Sequence, residues 1–234
     1  TTHHNILFFT SRGRVYRLKG YEIPEASRTA KGTATVNLLP LEASERITAV
    51  IPIKEFSNNR FLFMATRLGT VKKTELMEYD TARKGGIIAI GLRDDDELIG
   101  VKLTAGEHHV MMGTRGGKAI CFPESDVRSM GRQASGVRGI SLDDDDEVVG
   151  MDTFRKDCEI LTVSREGYGK RTAAAEYRNQ TRGGKGVINL KVTYKTGPVV
   201  GIKVVRPGQE IILISSEGIV IRIDLEEVSL ISRN

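Results

Sequence analysis

The chain has 234 residues, with 35 Lys and Arg against 30 Asp and Glu, a formal net charge of +5, and 39% apolar residues. That composition is globular and sufficient for a core, which excludes a disordered or collagen-like chain. No run approaches the roughly 18 apolar residues of a membrane-spanning helix, no signal-peptide core opens the chain, and two cysteines, Cys121 and Cys158, cannot make a disulfide framework and suit a reduced compartment.

The first element is the apolar run Ile6-Leu7-Phe8-Phe9, followed by Thr10-Ser11-Arg12-Gly13. The pattern returns with turns ending at Gly69, Gly117, Gly167 and Gly218, the glycines 56, 48, 50 and 51 residues apart. The runs are too short for helices and read as strands buried on both faces. Gly after a polar triplet fits a tight hairpin that needs a left-handed residue. A cation stands four residues after the glycine in four copies, at Arg17, Lys73, Arg171 and Arg222; the third has Cys121. A second element follows at Gly32, Gly86, Gly136 and Gly186, each with an aliphatic residue four positions on (Val36, Ile90, Ile140, Leu190), and a third strand signal comes at 47–50, 98–101, 148–151 and 199–202. Each repeat of about 50 residues then holds roughly four strands, one blade of a propeller-like, all-β array. Single helical turns are expected at most, at 76–80 and 172–177. The chain opens on a strand and stops at Ile231-Ser232-Arg233-Asn234, which predicts one domain over residues 1–234, truncated within the ring at one or both ends.

Charge alternates along the repeat. The hairpin-and-connector halves 10–32, 66–86, 113–139 and 164–186 carry a net +13 together, while 87–112 is net −3 and 140–163 net −6. Repetition turns this alternation into a spatial one: a basic band, once per blade, suited to a polyanion, and an acidic region turned away from it. The candidate contacts are Arg12, Arg14, Arg17 and Lys19; Arg28 and Lys31; Lys72, Lys73, Arg83 and Lys84; Arg115, Lys118, Arg128, Arg132 and Arg138; and Lys170, Arg171, Arg178, Arg182 and Lys185. Charge reversal at Arg171 is expected to weaken binding without unfolding.

The segments 11–24, 36–39, 69–74, 95–101, 136–140 and 167–172 make the chain resemble the C-terminal domain of DNA gyrase A from Leu7 to Asn234. The resemblance implies a six-bladed β-pinwheel, about five repeats of it present here, whose basic outer edge wraps duplex DNA without sequence preference. It implies partnership with the rest of gyrase A and with gyrase B in ATP-dependent negative supercoiling in the bacterial cytoplasm. The ATP and Mg²⁺ sites and the strand-cleaving tyrosine would lie elsewhere in that enzyme, leaving this chain without cofactor or catalytic site, and the isolated domain would be a monomer. Gln180-Thr181-Arg182-Gly183-Gly184-Lys185-Gly186 resembles the family's Gln-basic-Arg-Gly-Gly-basic-Gly box, departing at Thr181. The family's defining box belongs to the first repeat and would precede Thr1, so this one is a degenerate copy in a later blade. Its glycines would bring backbone N–H groups to phosphates, with Arg182 and Lys185 supplying charge. Alternatives are the corresponding domain of topoisomerase IV, a protein-binding propeller, or a propeller enzyme.

Other signals are weaker. Asp94–Glu97 and Asp143–Glu147 lack the alternating ligands of a calcium loop and read as exposed turns. The adjacent pairs His3-His4 and His108-His109 point to opposite strand faces, and neither cysteine has a CxxC partner, so no metal is expected. No Gly-Lys pair continues as a Walker A loop. The six tyrosines, Tyr16, Tyr21, Tyr79, Tyr168, Tyr177 and Tyr194, read as packing residues.

Overall fold

A computed structural model describes residues 2–27 and 29–233. The first repeat forms β1 (Asn5–Thr10), β2 (Arg14–Lys19), the single helical turn α1 (Thr35–Leu38) and β3 (Ile47–Ile53). The second forms β4 (Phe61–Thr66), β5 (Thr70–Glu75), β6 (Ile87–Ile88) and β7 (Leu98–Thr104). The third forms β8 (His109–Thr114), β9 (Lys118–Pro123), β10 (Val137–Arg138) and β11 (Val148–Phe154). The fourth forms β12 (Glu159–Ser164), β13 (Gly169–Ala173), β14 (Val187–Ile188) and β15 (Val199–Val205), and the fifth the hairpin β16 (Glu210–Ile214) and β17 (Val220–Asp224). Short 3-10 turns follow the second strand of every repeat, including the expected ones at Leu76–Tyr79 and Ala174–Glu176. The fold is all-β, as the short apolar runs require.

The chain divides into two compact units, residues 1–107 with 125–139, and 108–124 with 140–234. In the first, the sheets run β3-β1-β2-β6 and β10-β5-β4-β7; in the second, β11-β8-β9-β14 and β13-β12-β15, with β16-β17 apart. One repeat is therefore not one blade, contrary to the sequence expectation. Each repeat supplies its own hairpin and the strand after it, but its connector strand joins the hairpin of the repeat before: β6 on β2, β10 on β5, β14 on β9. Because β3 packs against β7 in one unit and β11 against β15 in the other, these strands are the inner ones, and the connector strands form the blades' outer edges.

The two glycine series answer to this arrangement. Every hairpin glycine has a positive φ, and its N–H donates to the carbonyl three residues earlier, as Gly117 does to Thr114 at 3.0 Å. The connector glycines Gly86, Gly136 and Gly186 share the left-handed conformation and lie against the preceding hairpin: a Cβ on Gly186 would sit 2.6 Å from the Ala119 carbonyl oxygen. Gly32 has φ 72° but open space around it. Among the described residues the first connector pairs with no hairpin, and Val36 is exposed on α1 instead of lying in the expected strand.

Both strand faces are buried, as the continuous apolar runs predict. Leu7 and Phe9 enter one core with Leu62, Met64 and Leu98, while Phe8 turns to Tyr16, Leu18 and Leu39. In the second unit Met111, Ile160, Tyr177 and Ile202 share a core. Four inner strands carry a bulge at one place, leaving Thr48, Ile99, Val149 or Val200 outside the register. Such a bulge sharpens the local twist. The fifth hairpin has no third strand among the described residues, and Ile212, Ile214 and Ile221 are exposed.

Gly117→Ala places a methyl group 2.1 Å from the Leu190 carbonyl oxygen at φ 86°. It should cost about 3 kcal/mol or more in urea denaturation, whereas Gly32→Ala, strained but unobstructed, should cost about 1 kcal/mol.

Candidate nucleic-acid interface

The candidate cations fall into three groups. At the hairpin tips they meet the acidic turns. Asp96 Oδ1 accepts the Leu68 N–H at 2.9 Å, and Asp146 Oδ1 accepts that of Gly116 at 2.7 Å. Arg12 lies 3.8 Å from Glu42 and Arg115 3.3 Å from Glu147. Lys118 pairs with Asp143, holding that carboxyl below its ordinary pKa. These turns are exposed as expected, but the expected separation of a basic band from an acidic region fails here. In the second and third repeats the Asp carboxylates cap the backbone of the basic hairpins, so tip cations and acids share one end of the blade.

The second group is buried inside the blades, which corrects the assignment of Lys72, Lys73, Lys170 and Arg171 as surface contacts. Lys72 Nζ donates to the Ala89 oxygen at 2.8 Å and also to the Arg132 carbonyl. Burial, reinforced by Arg132 and opposed by Glu78, pulls its pKa down to about 7. Lys73 Nζ lies 5.3 Å from the Phe61 ring centroid, and its carbonyl accepts the Met130 N–H. Lys170 Nζ donates to the Ser232 and Arg233 carbonyls at 2.9 and 2.6 Å; burial lowers its pKa as well. Arg171 donates to the Val228 carbonyl at 2.7 Å and to Glu159 at 2.8 Å. Arg17 is half-buried and bonds Asn5 and Asp80. At the position four residues after the hairpin glycine, Arg17 and Arg171 thus fasten the next repeat by side chain, and Lys73 and Cys121 by backbone carbonyl, Cys121 accepting the Gln180 N–H at 2.8 Å; Arg222 pairs with Glu210 of its own hairpin.

The third group stays at the outer edges. Arg83 and Lys84 are exposed in the turn before β6, Arg138 on β10 itself, and Lys185 just before β14. Arg14 reaches the Gly85 oxygen at 3.3 Å. Arg128 and Arg178 are exposed after the 3-10 turns, Lys31 is exposed in the first connector, and Lys19 is half-buried at the end of β2. Arg132 is half-buried and spends one guanidinium nitrogen on the Ile88 carbonyl at 2.7 Å; Arg233, at the matching position of the fifth repeat, does the same to Ile188. Arg28 lies outside the described residues.

The 180–186 segment is the connector of the fourth repeat. The carbonyls of Gly183 and Gly184 accept the hydroxyl and N–H of Ser141 at 2.7 and 2.9 Å. The Gln180 carboxamide nitrogen is buried without a partner, so this side chain turns inward instead of toward a phosphate. Lys185 is exposed and Arg182 half-buried at the outer edge.

Cys121 and Cys158 are free and buried, and burial raises each thiol to about 11, which keeps them protonated. Tyr16, Tyr79 and Tyr177 are packing residues as expected, but Tyr21, Tyr168 and Tyr194 are exposed. Among the described residues no helix is long and apolar enough to cross a membrane.

Five segments of the chain, residues 4–54, 60–105, 108–155, 159–206 and 209–234, match the family model of the DNA gyrase C-terminal domain, a β-propeller. The chain belongs to that family. It is 51% identical over 233 residues to DNA gyrase A of Salmonella typhimurium, covering 100% of this chain and 26% of that protein. It is 52% identical over 234 residues to that of Clostridium acetobutylicum, covering 100% of this chain and 28% of that protein. The chain thus spans about a quarter of the length of these relatives. The solved DNA gyrase A C-terminal domain superposes with a TM-score of 0.86 at 26% identity, covering 100% of this chain and 76% of that one. The C-terminal domain of DNA topoisomerase IV superposes at 0.91 and 28%, covering 99% and 73%. The fold is common to both, while sequence identity near one half sets this gyrase domain apart from the topoisomerase IV alternative.

Two measurements check the buried cations. Arg171→Glu sets a second carboxylate against Glu159 and should lower stability by about 3–5 kcal/mol, in place of the loss of binding in an intact fold that the sequence alone predicts. Lys72 binds its proton less tightly folded than unfolded, so stability should rise with pH between about 7 and 9.5, by at most about 1.4 kcal/mol per pH unit. Lys72→Met should remove that rise in denaturation midpoints measured across the range.

Proposed function

We propose that this domain binds duplex DNA without sequence preference and bends it along the outer edges of its blades, as the non-catalytic wrapping domain of a bacterial DNA gyrase acting on the cytoplasmic chromosome. The observation that carries the reading is the exposed basic connector at the outer edge of successive blades, Arg83-Lys84, Arg138 and Lys185. Phosphate contacts set position and affinity without reading bases, and among the described residues no helix is long enough to serve as a recognition helix in the major groove. Bending 20–30 base pairs by 40–90° costs on the order of 1–6 kcal/mol, which several such contacts can offset. In the holoenzyme a fixed DNA path would set the sign of the crossing presented to the cleavage core, whose ATP turnover then drives negative supercoiling. Gyrase B and the rest of gyrase A are the partners this requires, and no cofactor is assigned to this chain.

Binding to random-sequence duplex should weaken with salt, log K falling against log salt with slope about −0.9 per phosphate neutralised. Lys84→Ala with Lys185→Ala should flatten that slope by about two units and leave the thermal midpoint unchanged. A slope indifferent to both lysines would overturn the reading and favour a protein partner.

A further inference from the structure

The fourth hairpin tip departs from the others in a way the duplex-binding connectors do not explain. In the second and third repeats the turn that covers the hairpin is acidic, Asp94–Glu97 and Asp143–Glu147, and an Asp carboxylate caps the hairpin amides. In the fourth, residues 191–196 read Lys-Val-Thr-Tyr-Lys-Thr. This turn closes on itself: Gly197 N–H donates to the Thr193 carbonyl at 2.9 Å, and Thr193 and Thr196 bond one another. The hairpin amides of Arg165 and Glu166 are met by the backbone carbonyls of Pro198 and Thr196. No carboxylate is needed, and none stands in the turn.

What this frees is a basic and aromatic surface. Tyr194 is fully exposed, Tyr168 on the hairpin is 43% exposed, and Lys195 Nζ lies 5.6 Å from the centroid of the Tyr168 ring. Lys191 is exposed in the same turn, and the acidic side chain at the hairpin tip, Glu166, is paired with Arg165 at 3.2 Å. An exposed tyrosine beside lysines offers a stacking face together with charge for phosphates, the combination that holds single-stranded nucleic acid. A continuous duplex keeps its base faces stacked and has none to offer Tyr194.

We infer that the fourth hairpin tip, through Tyr194, Tyr168, Lys191 and Lys195, is a contact surface for single-stranded DNA, separate from the outer-edge connectors. Bases stack on the tyrosines and the lysines meet the flanking phosphates. The acidic turns of the second and third repeats carry no such tyrosine.

The test uses the whole chain with a labelled oligothymidylate of about 15 nucleotides, within the site sizes of stacking platforms, and a random-sequence duplex with hairpin-closed ends. Tyr194→Ala should weaken the single strand on the order of tenfold, Tyr194→Phe should restore it, and neither should move duplex affinity or the thermal midpoint. Lys84→Ala with Lys185→Ala should do the reverse. The chain has no tryptophan, so quenching of tyrosine emission by the oligonucleotide reports stacking directly. The inference is overturned by unchanged single-strand affinity in Tyr194→Ala, by equal loss of both ligands, or by no oligothymidylate binding at all. The first and last of these would leave the duplex reading of the connectors intact, while equal loss would extend the duplex contact to the fourth tip.

Discussion

The structure depends on an open strand edge being closed by the next repeat. A hairpin such as β1–β2 leaves a row of backbone N–H and C=O groups on the outer side of β2, and buried or half-buried groups of that kind must find partners. Here β6, two residues long, supplies them. So short a strand contributes little by itself, and the contact is held by what surrounds it. A glycine passes close to the neighbouring hairpin. The residue four positions after the hairpin glycine bonds the next repeat's chain, Arg17 and Arg171 through the guanidinium and Lys73 through its backbone carbonyl. Lys72 and Lys170 reach through the blade to backbone carbonyls, Lys72 sharing that of Ala89 with the Tyr79 hydroxyl.

That demand divides the basic residues into two populations. A guanidinium or ammonium group that must satisfy buried carbonyls is committed to the fold, and its charge is spent internally. Arg132 illustrates the overlap, since its side chain meets Ile88 while its own carbonyl is met by Lys72. The surface charge left for a polyanion is smaller than the count of Lys and Arg suggests and is concentrated where the connectors turn at the blade edge. The acidic turns are likewise structural at Asp96 and Asp146, whose carboxylates hold hairpin amides, and exposed at the aspartates before them.

Much of this was legible in the residues. The five apolar runs, the Ser/Thr-x-x-Gly turns and the strand signals at 47–50, 98–101, 148–151 and 199–202 all correspond to strands and turns, because continuous apolar runs and left-handed glycines leave few other structures. Strand exchange between repeats was not legible, since a period fixes how often an element recurs and not which copy it pairs with. Gly32 and Gly86 look alike in sequence, yet among the described residues Gly86 lies against Tyr16 of the preceding hairpin while Gly32 meets nothing. The cation after the hairpin glycine misled for a related reason: its regular spacing is what a binding stripe and a repeated internal fastening have in common. Burial separates the two, and charge patterning does not report burial. For the exposed tyrosines a signal did exist, in the replacement of an acidic turn by Lys191-Val192-Thr193-Tyr194-Lys195.

The forward exchange of strands also gives assembly a direction. During synthesis the hairpin β1–β2 is complete at residue 19, but the strand that closes its outer edge ends at residue 88. At about 5–20 residues per second, each hairpin waits for several seconds with one edge open, and every blade but the newest is sealed behind the growing end. A ribosome pausing within a connector would hold one such edge exposed for the length of the pause, so codon usage between hairpins bears on how safely the array is built.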